Sequence, residues 1–115
     1  MLPRSHKPLN EINILTVDAR YMQDQMNGLQ GTVTLGNNGI EFERQFKNGF
    51  IQIPYNQIEQ VQVQIAFGKF YRGFYLITKD GKKINILTRK TKQVIHVFNR
   101  KLENGQIVRY RRNQK

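Results

Sequence analysis

From Ile58 to Phe67 the chain alternates: Val61, Val63, Ile65 and Phe67 fall on one parity, Gln60, Gln62 and Gln64 on the other. Successive side chains of a strand point to opposite faces, so this pattern describes a strand with one apolar face and one polar, uncharged face. Neighbouring segments repeat it. Val33 and Leu35 alternate with Thr32 and Thr34, and Ile40 and Phe42 with Glu41 and Glu43, on either side of Asn37, Asn38 and Gly39, residues that tolerate positive φ. That is a hairpin. Lys47, Asn48 and Gly49 predict the next turn, before Ile51, Ile53 and Tyr55, where Pro54 marks a strand end, a bulge or a sheet edge able to accept an added strand. Gly68 and Lys69 turn the chain into an aromatic-rich strand, Phe70 to Thr78, and Asp80 and Gly81 predict a second hairpin before Ile84 and Ile86. About six strands result, at the spacing of an antiparallel sandwich or barrel.

After Leu87 the period changes. Thr88 or Thr91 is placed to cap a helix, and Val94, Ile95, Phe98 and Leu102 recur on one face until Asn104 and Gly105 end it. Near the start, Ile12 to Val17 reads as a strand, while Asp18 to Gly28 fits either its continuation or a short capped helix. The chain divides into a flexible N-terminus (1–11), one domain (12–105) and a basic C-terminal tail (106–115) whose last residues are expected to be mobile.

Charge is distributed unevenly. Residues 1–78 carry seven Lys/Arg against six Asp/Glu, and residues 79–115 carry twelve against Asp80 and Glu103, so +10 of the net +11 lies in the last third. Such a field attracts an anionic partner: nucleic acid, an acidic protein face or an anionic membrane surface. The candidate binding cations are Lys69, Arg72, Lys82, Lys83, Arg89, Lys90, Lys92, Arg100, Lys101, Arg109, Arg111 and Arg112. Cysteine is absent, which excludes disulfides, thiol nucleophiles and cysteine zinc sites. No apolar run approaches the roughly 20 residues of a spanning helix, and residues 1–10 lack the apolar core of a signal peptide, so a soluble cytoplasmic protein is expected.

Catalytic candidates are few. Ser5 and His6 lie in the N-terminal segment, and His96, beside the apolar helix face, reads as a partly buried structural residue. Glu41 and Glu43 share a strand face, which alternation already explains as solvent-facing. No phosphate loop or dinucleotide fingerprint is present, and no cofactor is implied. Lys69, Phe70, Tyr71, Arg72, Phe74 and Tyr75 interleave cations with aromatics, a mixture that stacks bases or sits at a membrane interface. Strand alternation instead places Phe70, Phe74 and Leu76 on one core face and Tyr71, Tyr75 and Ile77 on the other. Exposure discriminates: several rings protruding beside Lys69 and Arg72 would favour nucleic acid, rings buried on both sides a docking module.

Strands followed by a capping C-terminal helix resemble a pleckstrin-homology-like or GRAM-like domain. Leu15, Thr16, Val17, Asp18, Ala19, Arg20 and Tyr21, then Gly31, Gly39, Ile40, Glu41 and Phe42, resemble the opening of the ManO family. Ile51, Gln52, Ile53, Pro54 and Tyr55, with Val61, Phe67, Lys69, Arg72, Phe74, Ile77, Thr78, Lys79 and Gly81, are similar to its middle. The likeness spans about residues 12–102; Tyr55 stands where many relatives carry Trp, and the basic tail after Gly105 is particular to this chain. ManO members are typically encoded beside mannose-type phosphotransferase sugar transporters of Gram-positive bacteria. The resemblance implies a mainly β, pleckstrin-homology-like sandwich or barrel of six to seven strands capped by one C-terminal helix. It further implies a non-enzymatic regulator of such a transporter, cytoplasmic or peripheral at the inner membrane face, with a nucleic-acid-binding β-domain as the alternative.

Overall fold

The computed structural model describes residues 8–45 and 50–111. The turn expected at Lys47, Asn48 and Gly49 and the end of the tail, including Arg112, lie outside them. Eight strands and one α-helix occur among the described residues: β1 (Asn13–Met22), β2 (Gly28–Gly36), β3 (Gly39–Arg44), β4 (Phe50–Pro54), β5 (Ile58–Ala66), β6 (Phe70–Thr78), β7 (Lys83–Leu87), α1 (Thr91–Lys101) and β8 (Ile107–Arg109). They form one sheet in the order β4-β3-β2-β1-β7-β6-β5-β8. Asp18 to Met22 continues the first strand rather than forming a helix.

The sheet must curl. Adjacent strands lie about 4.8 Å apart, so the five steps from β4 to β6 would separate them by roughly 24 Å in a flat sheet. Yet the ring of Phe98 in α1 meets both Tyr55, which follows β4, at 6.4 Å between centroids, and Phe74 of β6 at 5.7 Å. The concave face holds a core that includes Val33, Phe42, Ile58, Leu76 and Ile86 and is closed by Val94, Val97 and Phe98 of the helix. Tyr55 donates its hydroxyl proton to the Gly36 carbonyl at 2.8 Å, and burial pushes its pKa up to about 12.

The count of six to seven antiparallel strands is corrected to a mixed sheet of eight. The addition is β8, which runs parallel to β5 with Val61 opposite Ile107 and Val63 opposite Arg109. Its short apolar stretch, Ile107 and Val108, shows no readable alternation. It is held by the Gln106 amide, which donates to the carbonyls of Ile58 and Glu59 at 2.9 and 3.3 Å, and by backbone bonds from Val61 N–H to the Gln106 carbonyl and Tyr110 N–H to the Val63 carbonyl.

The helix also differs in detail. Its buried residues are Thr91, Val94, Val97 and Phe98, with Ile95 and Leu102 half-buried. Lys90 is the N-cap and makes no side-chain cap; Thr88 Oγ1 accepts from Lys90 N–H, and Thr91 Oγ1 donates to the Thr88 carbonyl at 2.6 Å. His96 is exposed rather than partly buried, because at about 100° per residue it falls roughly 160° around the helix from both Val94 and Phe98.

The residue types of the β2–β3 turn suggest positive φ at Asn37, Asn38 or Gly39, but among the described residues positive φ occurs at Phe67, Gly68, Gly81 and Gly105. Side-chain amides hold this turn instead. Buried Asn10 accepts from the backbone N–H groups of Asn38 (2.7 Å) and Gly39 (2.9 Å), and Asn37 accepts from those of Glu11 and Ile12. Gly39 is required for space: a Cβ there would overlap the Ile53 carbonyl oxygen. Residues 8–11, assigned from sequence to the flexible N-terminus, are thus strapped to the hairpin, while residues 1–7 lie outside the described ones. Asn10→Ala leaves two backbone donors without their acceptor and is expected to cost about 1–3 kcal/mol. A lower urea midpoint at unchanged slope is the check.

Candidate docking surface

The site arises where β7 leaves the sheet. β7 pairs with β1 only through residues 20–22, and with β6 from Gly73 onward. β1 before Arg20 and β6 before Gly73 therefore part, and a cleft of about 930 Å³ opens between them. Thr88 ties its two walls: its hydroxyl donates to the Asp18 carbonyl of β1 at 2.8 Å, and its N–H to the Arg72 carbonyl of β6 at 3.0 Å. Arg20, Arg72, Arg89 and Lys90 line the cleft, with Asp18 as its one acidic lining residue. Four exposed cations against one carboxylate make it an anion-attracting concavity.

Beside the cleft stands the β5–β6 turn. Lys69 N–H closes it onto the Ala66 carbonyl, with Phe67 at φ +53° and Gly68 at +73°. Alternation alone would keep Phe67 on the inward face of β5, but a register shift between Gln64 and Ile65 and its left-handed backbone turn it out. It is 90 % exposed, Phe70 55 % and Tyr71 37 %, whereas Phe74 is fully buried. The assignment of Phe70 to the core is corrected: it pairs with Ala66 of β5 but lies beyond the last β6–β7 pair, so no residue of β7 flanks it, and it is more than half exposed. The Phe67 and Phe70 rings meet edge to face at 6.3 Å, Lys69 Nζ lies 5.4 Å from the Phe70 centroid, and Lys92 Nζ lies 5.0 Å from that of Tyr71.

Of the cations singled out in the sequence, this end of the fold gathers Lys69, Arg72, Arg89, Lys90 and Lys92. The others are placed elsewhere. Lys82 and Lys83 follow the β6–β7 turn, which the register puts at the opposite end of the strands. There Lys83 Nζ sits 4.3 Å from the Tyr75 centroid and 5.2 Å from that of Tyr110. The Tyr75 hydroxyl is pushed above its ordinary pKa by burial first and by neighbouring Tyr110 second, and a hydrogen bond from the Thr78 hydroxyl holds Asp80 below the usual carboxylate range. Arg100 and Lys101 occupy the last turn of α1, where cations offset the negative end of the helix dipole. Arg109 lies on β8 opposite Val63, and Arg111 is exposed just past Tyr110. Arg20 and Phe67 were missed. Arg20 was legible as the outward partner of Thr16 and Asp18 in β1, whereas nothing local marks the outward turn of Phe67.

Among the described residues, no group of three or more His, Asp or Glu side chains is placed to hold a metal ion, and no helix is long and apolar enough to cross a membrane. No curated protein matches the chain. Among solved structures, it is similar to the C-terminal domain of an unknown protein from Leishmania infantum, with a TM-score of 0.66 and 11 % identity over 75 % of this chain and 79 % of that one. At that identity the likeness is one of fold alone. A family model matches residues 7–113, and the chain accordingly belongs to the family described as Domain of unknown function (DUF956).

Proposed function

We propose that this domain is a non-enzymatic docking module that binds an anionic surface through the cleft between β1 and β6. The observation that carries the proposal is the gathering of Arg72, Arg89, Lys90 and Lys92 at one end of the fold, around a cleft that Arg20 also lines. The strand order and the helix inside the curl support a pleckstrin-homology-like reading of the scaffold, in which rigid strands present a binding surface at one end. The sequence likeness to the ManO family supports the cellular setting: a regulator at the cytosolic face of a mannose-type phosphotransferase transporter, held beside anionic headgroups.

Each Lys or Arg brought near an anionic leaflet contributes about 1 kcal/mol, so the gathered cations suffice for reversible docking. The full chain is expected to sediment with membranes carrying the transporter at low salt and to be released as salt rises. The variant R72E/R89E/K90E is expected to bind at least about tenfold more weakly. Absence of wild-type binding at low salt rejects the proposal.

A second reading, nucleic-acid binding, is favoured by the exposure of Phe67, Phe70 and Tyr71 beside these cations. A fluorescent single-stranded oligonucleotide titrated in parallel separates the two. Tight binding to it, with none to membranes, selects the second.

A further inference from the structure

We infer that the β5–β6 turn is a wedge that enters the interface of an anionic bilayer, while the cleft cations stay among the headgroups. The inference rests on the docking reading above and names what that surface meets. Its first support is the turn itself. Phe67 and Phe70 form a preassembled apolar knob, their rings packed on each other at 86°, outside the core and on a turn that projects beyond the last β6–β7 pair. Exposing such rings to water is unfavourable, and a left-handed aromatic residue adds backbone cost, so folding stability does not account for the arrangement.

Charge supplies the second support. From Gln60 to Lys79 the chain contains no acidic residue, so nothing on this hairpin repels an anionic leaflet. Lys69 lies on the turn between the two rings, and Arg72 and Lys92 lie behind it, flexible cations able to reach phosphates while the rings sit deeper. Aromatic side chains with cations immediately behind them suit the boundary between headgroups and acyl chains.

Ring geometry favours a bilayer over bases. Stacking of successive bases needs parallel aromatic platforms, but Phe67 and Phe70 stand nearly perpendicular, and one face of Tyr71 and one of Phe70 already carry the ammonium groups of Lys92 and Lys69. An apolar end with cations behind it needs no open face.

The chain has no tryptophan, so one introduced indole reports alone. Phe67→Trp is expected to shift its emission to the blue and to be quenched by brominated acyl chains when vesicles of phosphatidylglycerol and phosphatidylcholine in a ratio of one to two are added. Met26→Trp serves as the control, because Met26 is 87 % exposed in the β1–β2 turn, at the other end of the strands; it is expected to show neither change. The double variant F67N/F70S, with Asn chosen because it tolerates positive φ, is expected to bind these vesicles about tenfold or more weakly while keeping the wild-type melting temperature. Salt-sensitive wild-type binding with an unquenched indole in the Phe67→Trp variant, or undiminished binding by the double variant, overturns the wedge and leaves cationic docking standing. No wild-type binding to the vesicles overturns docking to lipid as well. Quenching of the same indole by a single-stranded oligonucleotide, without any lipid response, assigns the knob to nucleic acid and overturns the inference.

Discussion

Truncating Phe98 to alanine is expected to cost about 3–5 kcal/mol, enough to bring a domain of ordinary stability close to unfolding. Phe98 is fully buried, and its ring meets both the β4 side of the sheet, through Tyr55, and the β6 side, through Phe74. Removing it leaves a cavity between surfaces already joined through β1 and β7, which cannot simply close over the space. The loss therefore includes the transfer term of the ring and the cavity term. Denaturant melts followed by far-ultraviolet circular dichroism give the value directly. A cost below about 1 kcal/mol would mean that the helix does not close the curl as described.

Gly73→Ala is expected to lower stability by about 3 kcal/mol, at the upper end for an added methyl group, because its neighbours are backbone rather than flexible side chains. A Cβ at this position would overlap the Ile86 carbonyl oxygen and come within 2.8 Å of Leu87 Cα. The φ angle is not the difficulty, since Gly73 is not among the residues with positive φ. The strain falls on the Gly73–Leu87 pair, at the point where the cleft opens. Thr88 follows directly and bonds the Arg72 carbonyl, so the variant is expected to weaken anion binding along with the fold. In a domain of this size the melting temperature should drop by roughly 10–20 °C.

Most of the sheet was legible because alternation is a local signal. The β2–β3 and β6–β7 hairpins, β5 and the helix all show a period within a few residues. What escaped depends on single side chains or on distant partners. Asn10 carries no periodic pattern, yet its one amide fixes the N-terminal segment to a turn. Gln106 does the same for β8. The site was legible as charge but not as place: counting cations found Arg72, Arg89 and Lys90, while their meeting with Arg20 follows from the register that sets Arg20 and Gly73 on either side of Leu87. Arg20 did not count among the binding cations because the first two thirds of the chain are nearly neutral overall.

The route by which the sheet closes also orders events in time. β1 to β4 are consecutive in both chain and sheet, and so are β5 to β7, so each run can form by short-range hairpin pairing as soon as it is made. The seam between them joins residues 20–22 to residues 85–87, and the ring that packs both runs comes later still, with Phe98. A nascent chain that has not yet reached this helix thus holds strands with unpaired rims and an uncovered apolar face. Until that residue is made, the newborn polypeptide is at its most vulnerable to sticking to its neighbours.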